Sequence, residues 1–130
     1  MSRTPQEQAN LDFCVEFYEK VICDKNPRLI KNYVSDTYIQ HSAQGVRDGY
    51  EGVFEFITFL ENHRKDAEIL IKEVFVDGDN VIFFVRVHEV GYPVPKFFVD
   101  RFRMENGRIK EHWDIGIDEP EDMPHGNGMW

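Results

Sequence analysis

The first half of the chain carries apolar residues at the spacing of amphipathic helices. A capping-box sequence at residues 4–7 is followed by apolar positions every three or four residues, which predicts a helix over 5–24. An Asn-Pro pair restarts the chain and predicts a short second helix over 27–34. Asp48 is a candidate N-cap for a third helix over 50–64, because a glutamate stands three residues after it.

After residue 66 the pattern changes to strands rich in Val, Ile and Phe, which alternate with polar residues. Turn sequences with Gly and Asn separate the first and the last pair of these strands. Residues 38–41 are predicted to be short and extended. Helices followed by an antiparallel meander indicate the α+β class, in a single domain over 1–130 with a loose acidic tail from 118 to 130. Four long strands are predicted, over residues 68–76, 80–90, 96–104 and 108–117.

Composition narrows the possible partners. The chain has 11 Phe, 5 Tyr and 2 Trp, enough rings for a core and for the walls of a ligand cavity. Its net charge of −9 disfavours binding to nucleic acid and to anionic membranes. No apolar run is long enough to span a membrane, and the N-terminus has no signal-peptide pattern, so a cytoplasmic location is expected.

The densest cluster of candidate catalytic groups lies in the last predicted hairpin. Asp100 stands on its first strand, and His112 and Asp114 stand on its second. If residues 106–107 form a two-residue type I′ turn, the two aspartates point to opposite faces of the sheet. If residues 105–107 form a three-residue bulged loop, Asp100 lies opposite His112 and all three groups share one face. The three-residue loop is favoured, because an Asn-Gly pair after an acidic residue also fits it.

The favoured register predicts a face suited to a small-molecule cavity. A carboxylate among aromatic rings loses hydration, which raises its pKa toward the range useful for proton transfer. The alternative is that Asp100 and Asp114 form ordinary salt bridges with arginines of the sheet. No two candidate ligands stand at a diagnostic metal spacing, so no metal is expected. The cavity face would carry Phe98, Asp100, Phe102, Met104, His112 and Asp114.

Three stretches resemble the SnoaL-like polyketide cyclases, a family in the superfamily of nuclear transport factor 2 and ketosteroid isomerase. They are residues 38–41, the helix entry at 49–56, and the last hairpin with its Glu-His-Trp-Asp ending at 111–114. The resemblance covers roughly residues 8–117. It implies a cone in which a strongly curved antiparallel sheet wraps around about three helices, with a pocket inside and usually a homodimer.

The resemblance also implies chemistry. In the cyclases an aspartate on the last strand is the general acid/base of an aldol ring closure that needs no cofactor, and Asp114 matches it. Asp100 matches its partner on the preceding strand, and His112 would help to orient the reacting groups. The expected function is therefore that of a lyase, isomerase or cyclase acting on a hydrophobic carbonyl compound. The residues expected to contact this substrate are His41, Tyr18, Phe98, Phe102, Arg86 and His88.

Two alternatives stay open within this fold. Epoxide hydrolases of the superfamily use an Asp-Arg-Asp arrangement, which Asp100, Arg86 and Asp114 could imitate. Other members only bind ligands, and here the same groups would merely stabilise the sheet.

A homodimer through the outer face of the sheet is the last expectation. In the favoured register this face exposes apolar residues at every second position, and such patches usually mark an interface. The alternative is that the tail folds back and covers the patch with Met129 and Trp130. The apolar residues expected on this face are Val99, Ile109, Trp113 and Ile115.

Overall fold

A computed structural model describes residues 2–129, so Trp130 and its expected role in the tail lie outside the described residues. The chain begins with helix α1, Pro5–Phe17, which continues as a π-helical segment, Tyr18–Cys23. The capping box is present: Thr4 Oγ1 accepts a hydrogen bond from the Glu7 amide at 3.1 Å, and the Glu7 carboxylate accepts one from the Thr4 amide at 3.0 Å. The predicted first helix is therefore confirmed, although its last part winds more widely than an α-helix.

The other two predicted helices are also present. A 3₁₀ helix spans Pro27–Asn32 and is capped by the Asn26 side chain. Helix α2 spans Gly49–His63. Asp48 stands at its N-cap position, but its carboxylate accepts a hydrogen bond from the Gln40 amide at 2.7 Å instead of capping the helix. It therefore attaches the helix entry to the end of the first strand.

One curved sheet of five strands packs against these helices in the order β1-β5-β4-β3-β2. The four predicted antiparallel strands are present, and β1 adds a fifth that runs parallel to β5. The sequence prediction found only the end of β1, because the strand is mostly polar and its register with β5 is interrupted. The predicted α+β class is confirmed. The strands are β1 Val34–Gln40, β2 Glu68–Asp77, β3 Asn80–His88, β4 Lys96–Glu105 and β5 Arg108–Asp118.

The core lies between the inner face of the sheet and the helices. Aromatic rings dominate it, with Phe83 and Phe102 edge to face at 5.6 Å and Tyr18 stacked on Phe83 at 4.6 Å. Such contacts add about 0.5–1.5 kcal/mol each to the burial of the rings. Within residues 2–129 we find no helix with the length and apolar character that a membrane crossing requires.

The register of the last hairpin differs from the favoured prediction. Asn106 and Gly107 both have positive φ, 51° and 74°, and form a two-residue turn. A bulge at Lys110 then shifts the pairing by one residue, so Asp100 lies opposite Asp114. The shorter turn and the bulge each shift the pairing by one residue, so together they leave the same side chains of β5 on the inner face. The expected cavity face is therefore present, but through a different turn.

The bulge also corrects one residue of the expected dimer face. Ile109 pairs with Met104 on the inner side and is fully buried in the core, so it cannot belong to an outer patch. The start of the acidic tail is anchored as well. Asp118 still belongs to β5, and the Glu119 amide donates to the Pro95 carbonyl at 2.8 Å.

Candidate functional site

A cavity of about 570 Å³ opens between the inner face of the sheet and the helices. Its walls are largely aliphatic and aromatic, which suits a hydrophobic small molecule. Polar groups converge at one place in this wall, where β1, β4 and β5 meet. The apolar lining includes Phe17, Val53, Ile57, Leu60, Val87 and Phe98.

Asp100 is buried at this place with both carboxylate oxygens occupied. Oδ2 accepts a hydrogen bond from the Tyr18 hydroxyl at 2.7 Å. Oδ1 lies 2.8 Å from Nε2 of His112, which is also buried. Burial, followed by the nearby Asp100 carboxylate, raises the pKa of Tyr18 well above its usual range, so this tyrosine stays a hydrogen-bond donor.

The second hydrogen-bond partner of His112 shows which of its ring nitrogens carries a hydrogen. Nδ1 lies 2.9 Å from Oε1 of Gln40. The amides of His41 and Ser42 also donate to this oxygen, at 3.1 and 2.9 Å, which fixes it as the carbonyl end of the Gln40 side chain. His112 Nδ1 must therefore carry a hydrogen, and a further proton must lie between Nε2 and Asp100. Whichever atom holds that proton, the pair has no net charge.

Asp114 has different surroundings. Its Oδ2 accepts a hydrogen bond from the Ser42 hydroxyl at 3.0 Å, whereas Oδ1 has no donor within residues 2–129. Burial raises the pKa of the Asp114 carboxyl, the Ser42 hydrogen bond and His112 lower it, and the Asp100 charge raises it. The net effect is that the pKa of Asp114 is raised above its ordinary value. Asp114 is thus a half-buried acid with one oxygen free to face a ligand.

The sequence interpretation missed three residues of this site: Tyr38, Gln40 and Ser42. Tyr38 is buried in the cavity wall, and its hydroxyl oxygen accepts a hydrogen bond from Nε2 of Gln40 at 3.0 Å. Two of them stand two positions apart on β1, so they share a face. This alternation in the sequence places both side chains on one face of β1. It indicates a role in the site only in combination with the pairing of β1 and β5.

Three of the expected substrate contacts lie away from the cavity. His41 points to the outer face because its neighbours on both sides point inward, and its ring stacks on Trp113 with centroids 4.8 Å apart. Its Nε2 lies 2.6 Å from the Glu111 carboxylate. Arg86 is paired with the tail at Glu119, and His88 is exposed at the end of β3. Tyr18, Phe98 and Phe102 do line the cavity.

A metal ion would compete with the hydrogen bonds just described. Asp100, His112 and Asp114 offer ligand atoms that all lie within 4.8 Å of one another. Both ring nitrogens of His112 already bond protein acceptors, so it could ligate a cation only after losing one of them. Only the free oxygen of Asp114 is available without such a loss.

The fold is that of a known family. The family model described as "SnoaL-like domain" matches residues 15–112. The chain belongs to the SnoaL-like family. No curated protein matches the chain.

Solved structures share this SnoaL-like fold at low sequence identity. A protein provisionally described as a SnoaL-like polyketide cyclase from Jannaschia sp. CCS1 is 21% identical, with a TM-score of 0.73 over 89% of this chain and 90% of that one. A protein provisionally described as a polyketide cyclase from Acidithiobacillus ferrooxidans is 19% identical, with a TM-score of 0.70 over 89% and 91%. One provisionally described as a ketosteroid isomerase from Kribbella flavida is 11% identical, with a TM-score of 0.70 over 92% and 86%. At these identities the likeness establishes the fold.

Proposed function

We propose that the protein is a cofactor-independent acid/base catalyst that moves a proton at the carbon next to a carbonyl group of a hydrophobic small molecule. Such a step begins an aldol-type cyclisation and an isomerisation alike. One observation carries the proposal: Asp114 is half-buried in the cavity wall with a free oxygen, Oδ1, and with a raised pKa. A carboxylate in this state can accept a proton from carbon.

The neighbouring Asp100–His112 pair is unsuited to act as the base, which supports Asp114 in that role. The pair already shares a proton, and its outer atoms are held by Tyr18 and Gln40. Accepting another proton would require breaking one of these buried bonds, which costs about 1–3 kcal/mol for each group left unpaired. The pair instead keeps β4 and β5 in register beside the base.

The epoxide hydrolase alternative lacks support from the geometry. It requires an arginine between the two aspartates, and Arg86 instead pairs with Glu119 at 3.2 Å, away from the cavity lining. The solved neighbours described as polyketide cyclases and as a ketosteroid isomerase support chemistry at carbonyl compounds.

Deuterium exchange tests the proposal without knowledge of the natural substrate. The full chain is incubated in D₂O with 1-phenylbutane-1,3-dione and with 2-tetralone, and loss of the α-proton signal is followed by NMR. We expect exchange above the protein-free rate, lowered by about 10²–10⁴-fold in Asp114→Asn. Binding of both ketones without any exchange would favour the non-catalytic alternative and contradict the proposal.

We also propose that the protein is a homodimer through the outer face of the sheet. We name the outer patch for Phe75, Phe84, Val99, Ile115 and Ile117. Phe84 pairs with Val99 and Val99 with Ile115, so the patch is continuous across three strands. Ile115 and Ile117 are 74% and 52% exposed, so the tail up to Met129 leaves them uncovered. Apolar surface of this kind favours a second copy of the chain.

A further inference from the structure

The Tyr38 hydroxyl has an unused hydrogen. Gln40 is oriented by the two main-chain amides that donate to its Oε1, so its Nε2 must be the donor to Tyr38. The hydroxyl oxygen of Tyr38 is therefore the acceptor in that bond. Its own hydrogen has no acceptor within the described part of the chain. Tyr38 is only 4% exposed, and leaving a buried polar hydrogen without a partner is costly.

The other donors around the base are already engaged. The Tyr18 hydroxyl donates to Asp100, the Ser42 hydroxyl donates to Asp114, and both ring nitrogens of His112 face protein acceptors. Gln40 is the exception, because its second Nε2 hydrogen has no acceptor among residues 2–129, but a carboxamide is a weaker acid than a phenol. A ligand oxygen in this part of the cavity therefore finds its best donor at Tyr38.

We propose that Tyr38 is a catalytic residue that donates a hydrogen bond to the carbonyl oxygen of the substrate while Asp114 removes the neighbouring proton. This inference rests on the proposed function and adds the second group of the reaction. The α-carbon–hydrogen bond breaks, and its proton goes to Oδ1 of Asp114. The electron pair forms a carbon–carbon double bond, and the carbonyl π electrons move to the oxygen that faces Tyr38.

The placement of Tyr38 suits this role. It lines the same cavity as Asp114, and the charges of both aspartates act on its hydroxyl. Burial is the main reason that the pKa of Tyr38 lies far above its usual range, so the phenol keeps its proton and donates it only as a hydrogen bond. Donors placed where negative charge develops typically contribute about 10²–10³-fold to kcat.

A naphtholate binding experiment tests the donor role directly, because 2-naphtholate carries its charge on one oxygen and mimics an enolate. Binding is measured by fluorescence in the Asp114→Asn background, where the amide stands for the protonated base and does not repel the anion. Tyr38→Phe should weaken 2-naphtholate binding about 10- to 100-fold and leave naphthalene binding unchanged. Tyr33→Phe removes the hydroxyl of another buried tyrosine, one outside the cavity lining, and should change neither.

A second variant covers the case in which Tyr38→Phe fails to fold. Replacing Tyr38 by 3-fluorotyrosine keeps the hydroxyl and makes it more acidic, so 2-naphtholate should bind more tightly while naphthalene binds as before. Equal 2-naphtholate affinity with and without the Tyr38 hydroxyl, or an equal loss for naphthalene, would overturn the donor role.

The two proposals fail in distinguishable ways. If Tyr38→Phe weakens 2-naphtholate binding but the unsubstituted chain exchanges no α-proton, the donor role stands and the proton-transfer function fails. If exchange depends on Asp114 while Tyr38→Phe keeps the full exchange rate and the full 2-naphtholate affinity, the function stands and the donor role fails.

Discussion

Asp100 and Asp114 face each other across β4 and β5, yet their surroundings give them different properties. Both carboxylate oxygens of Asp100 have partners, Tyr18 and His112, so we expect it to hold its neighbours in place. Within residues 2–129, Asp114 has a single hydrogen-bond donor, Ser42, and it is half-buried. Partial burial without full hydrogen bonding is what raises the pKa of a carboxyl group. At the level of single residues, the proposed difference between a positioning Asp100 and a reactive Asp114 rests on one missing hydrogen bond.

Because its pKa is raised, Asp114 is expected to lower the free energy of unfolding as the pH rises. Because the pKa is higher in the folded chain than in the unfolded chain, the stabilising contribution is complete below the unfolded pKa of about 3.9 and is lost as pH rises through the folded pKa. Asp114→Asn removes this titration and keeps an acceptor for Ser42. Urea unfolding should therefore show the variant gaining stability relative to the native chain between pH 4 and pH 7. A stability difference that is the same at both pH values would contradict the raised pKa.

At the scale of elements, periodicity predicted what is local and missed what depends on neighbours. The helices and the four antiparallel strands follow from patterns within each segment, and they are present. β1 is polar and interrupted, so only its pairing with β5 makes it a strand. The apolar spacing does not predict the π-helical winding of Tyr18–Cys23, in which Tyr18 and Val21 are buried.

The candidate site divides in the same way. Asp100, His112 and Asp114 could be predicted to share a face, since strand alternation within one hairpin decides it. They share that face through a two-residue turn rather than the expected three-residue loop, because the bulge at Lys110 compensates for the shorter turn. His41 was expected to contact the substrate but lies outside the cavity lining, since its direction depends on how the end of β1 meets β5.

The contact between α2 and the loop before it predicts a severe effect at one glycine. A Cβ on Gly52 would lie 1.9 Å from the Arg47 carbonyl oxygen, although alanine is otherwise the better helix former. Gly52→Ala should therefore destabilise the fold by about 1–3 kcal/mol in urea unfolding. Gly126→Ala, where a Cβ meets nothing within 4 Å, is the matched control and should change little. A neutral or stabilising effect at Gly52 would show that the loop moves freely away from α2.

At the scale of the whole molecule, the two faces of the sheet differ in the side chains they present, and we propose a separate role for each. The inner face carries the cavity and its acids, and the outer patch is apolar and uncovered. The cavity and the outer patch share the same strands, but successive side chains of a strand point to opposite faces of the sheet and do not touch. Changes on the outer patch should therefore affect assembly and leave the chemistry of the cavity intact.

Sedimentation equilibrium at micromolar concentration tests this separation. The native chain should sediment as a dimer, and Ile115→Glu should give the monomer mass of 15.4 kDa, because a buried unpaired charge opposes association. Val90→Glu is the control, since Val90 is 85% exposed in a loop outside the outer patch. A native mass near 15.4 kDa would refute the dimer, and a dimer that survives Ile115→Glu would place its interface elsewhere.

The most direct test of Asp114 as the base compares the pH titration of its carboxyl group with the pH dependence of the exchange rate. The Asp114 carboxyl is followed by ¹³C NMR, and α-proton exchange of 2-tetralone is measured over the same pH range. Because only the ionised form accepts a proton, the rate should rise with pH and share its midpoint with Asp114. Ser42→Ala removes a hydrogen bond that lowers this pKa, so both midpoints should move to higher pH together. An exchange rate whose midpoint stays in place while that of Asp114 moves would contradict the assignment of Asp114 as the base.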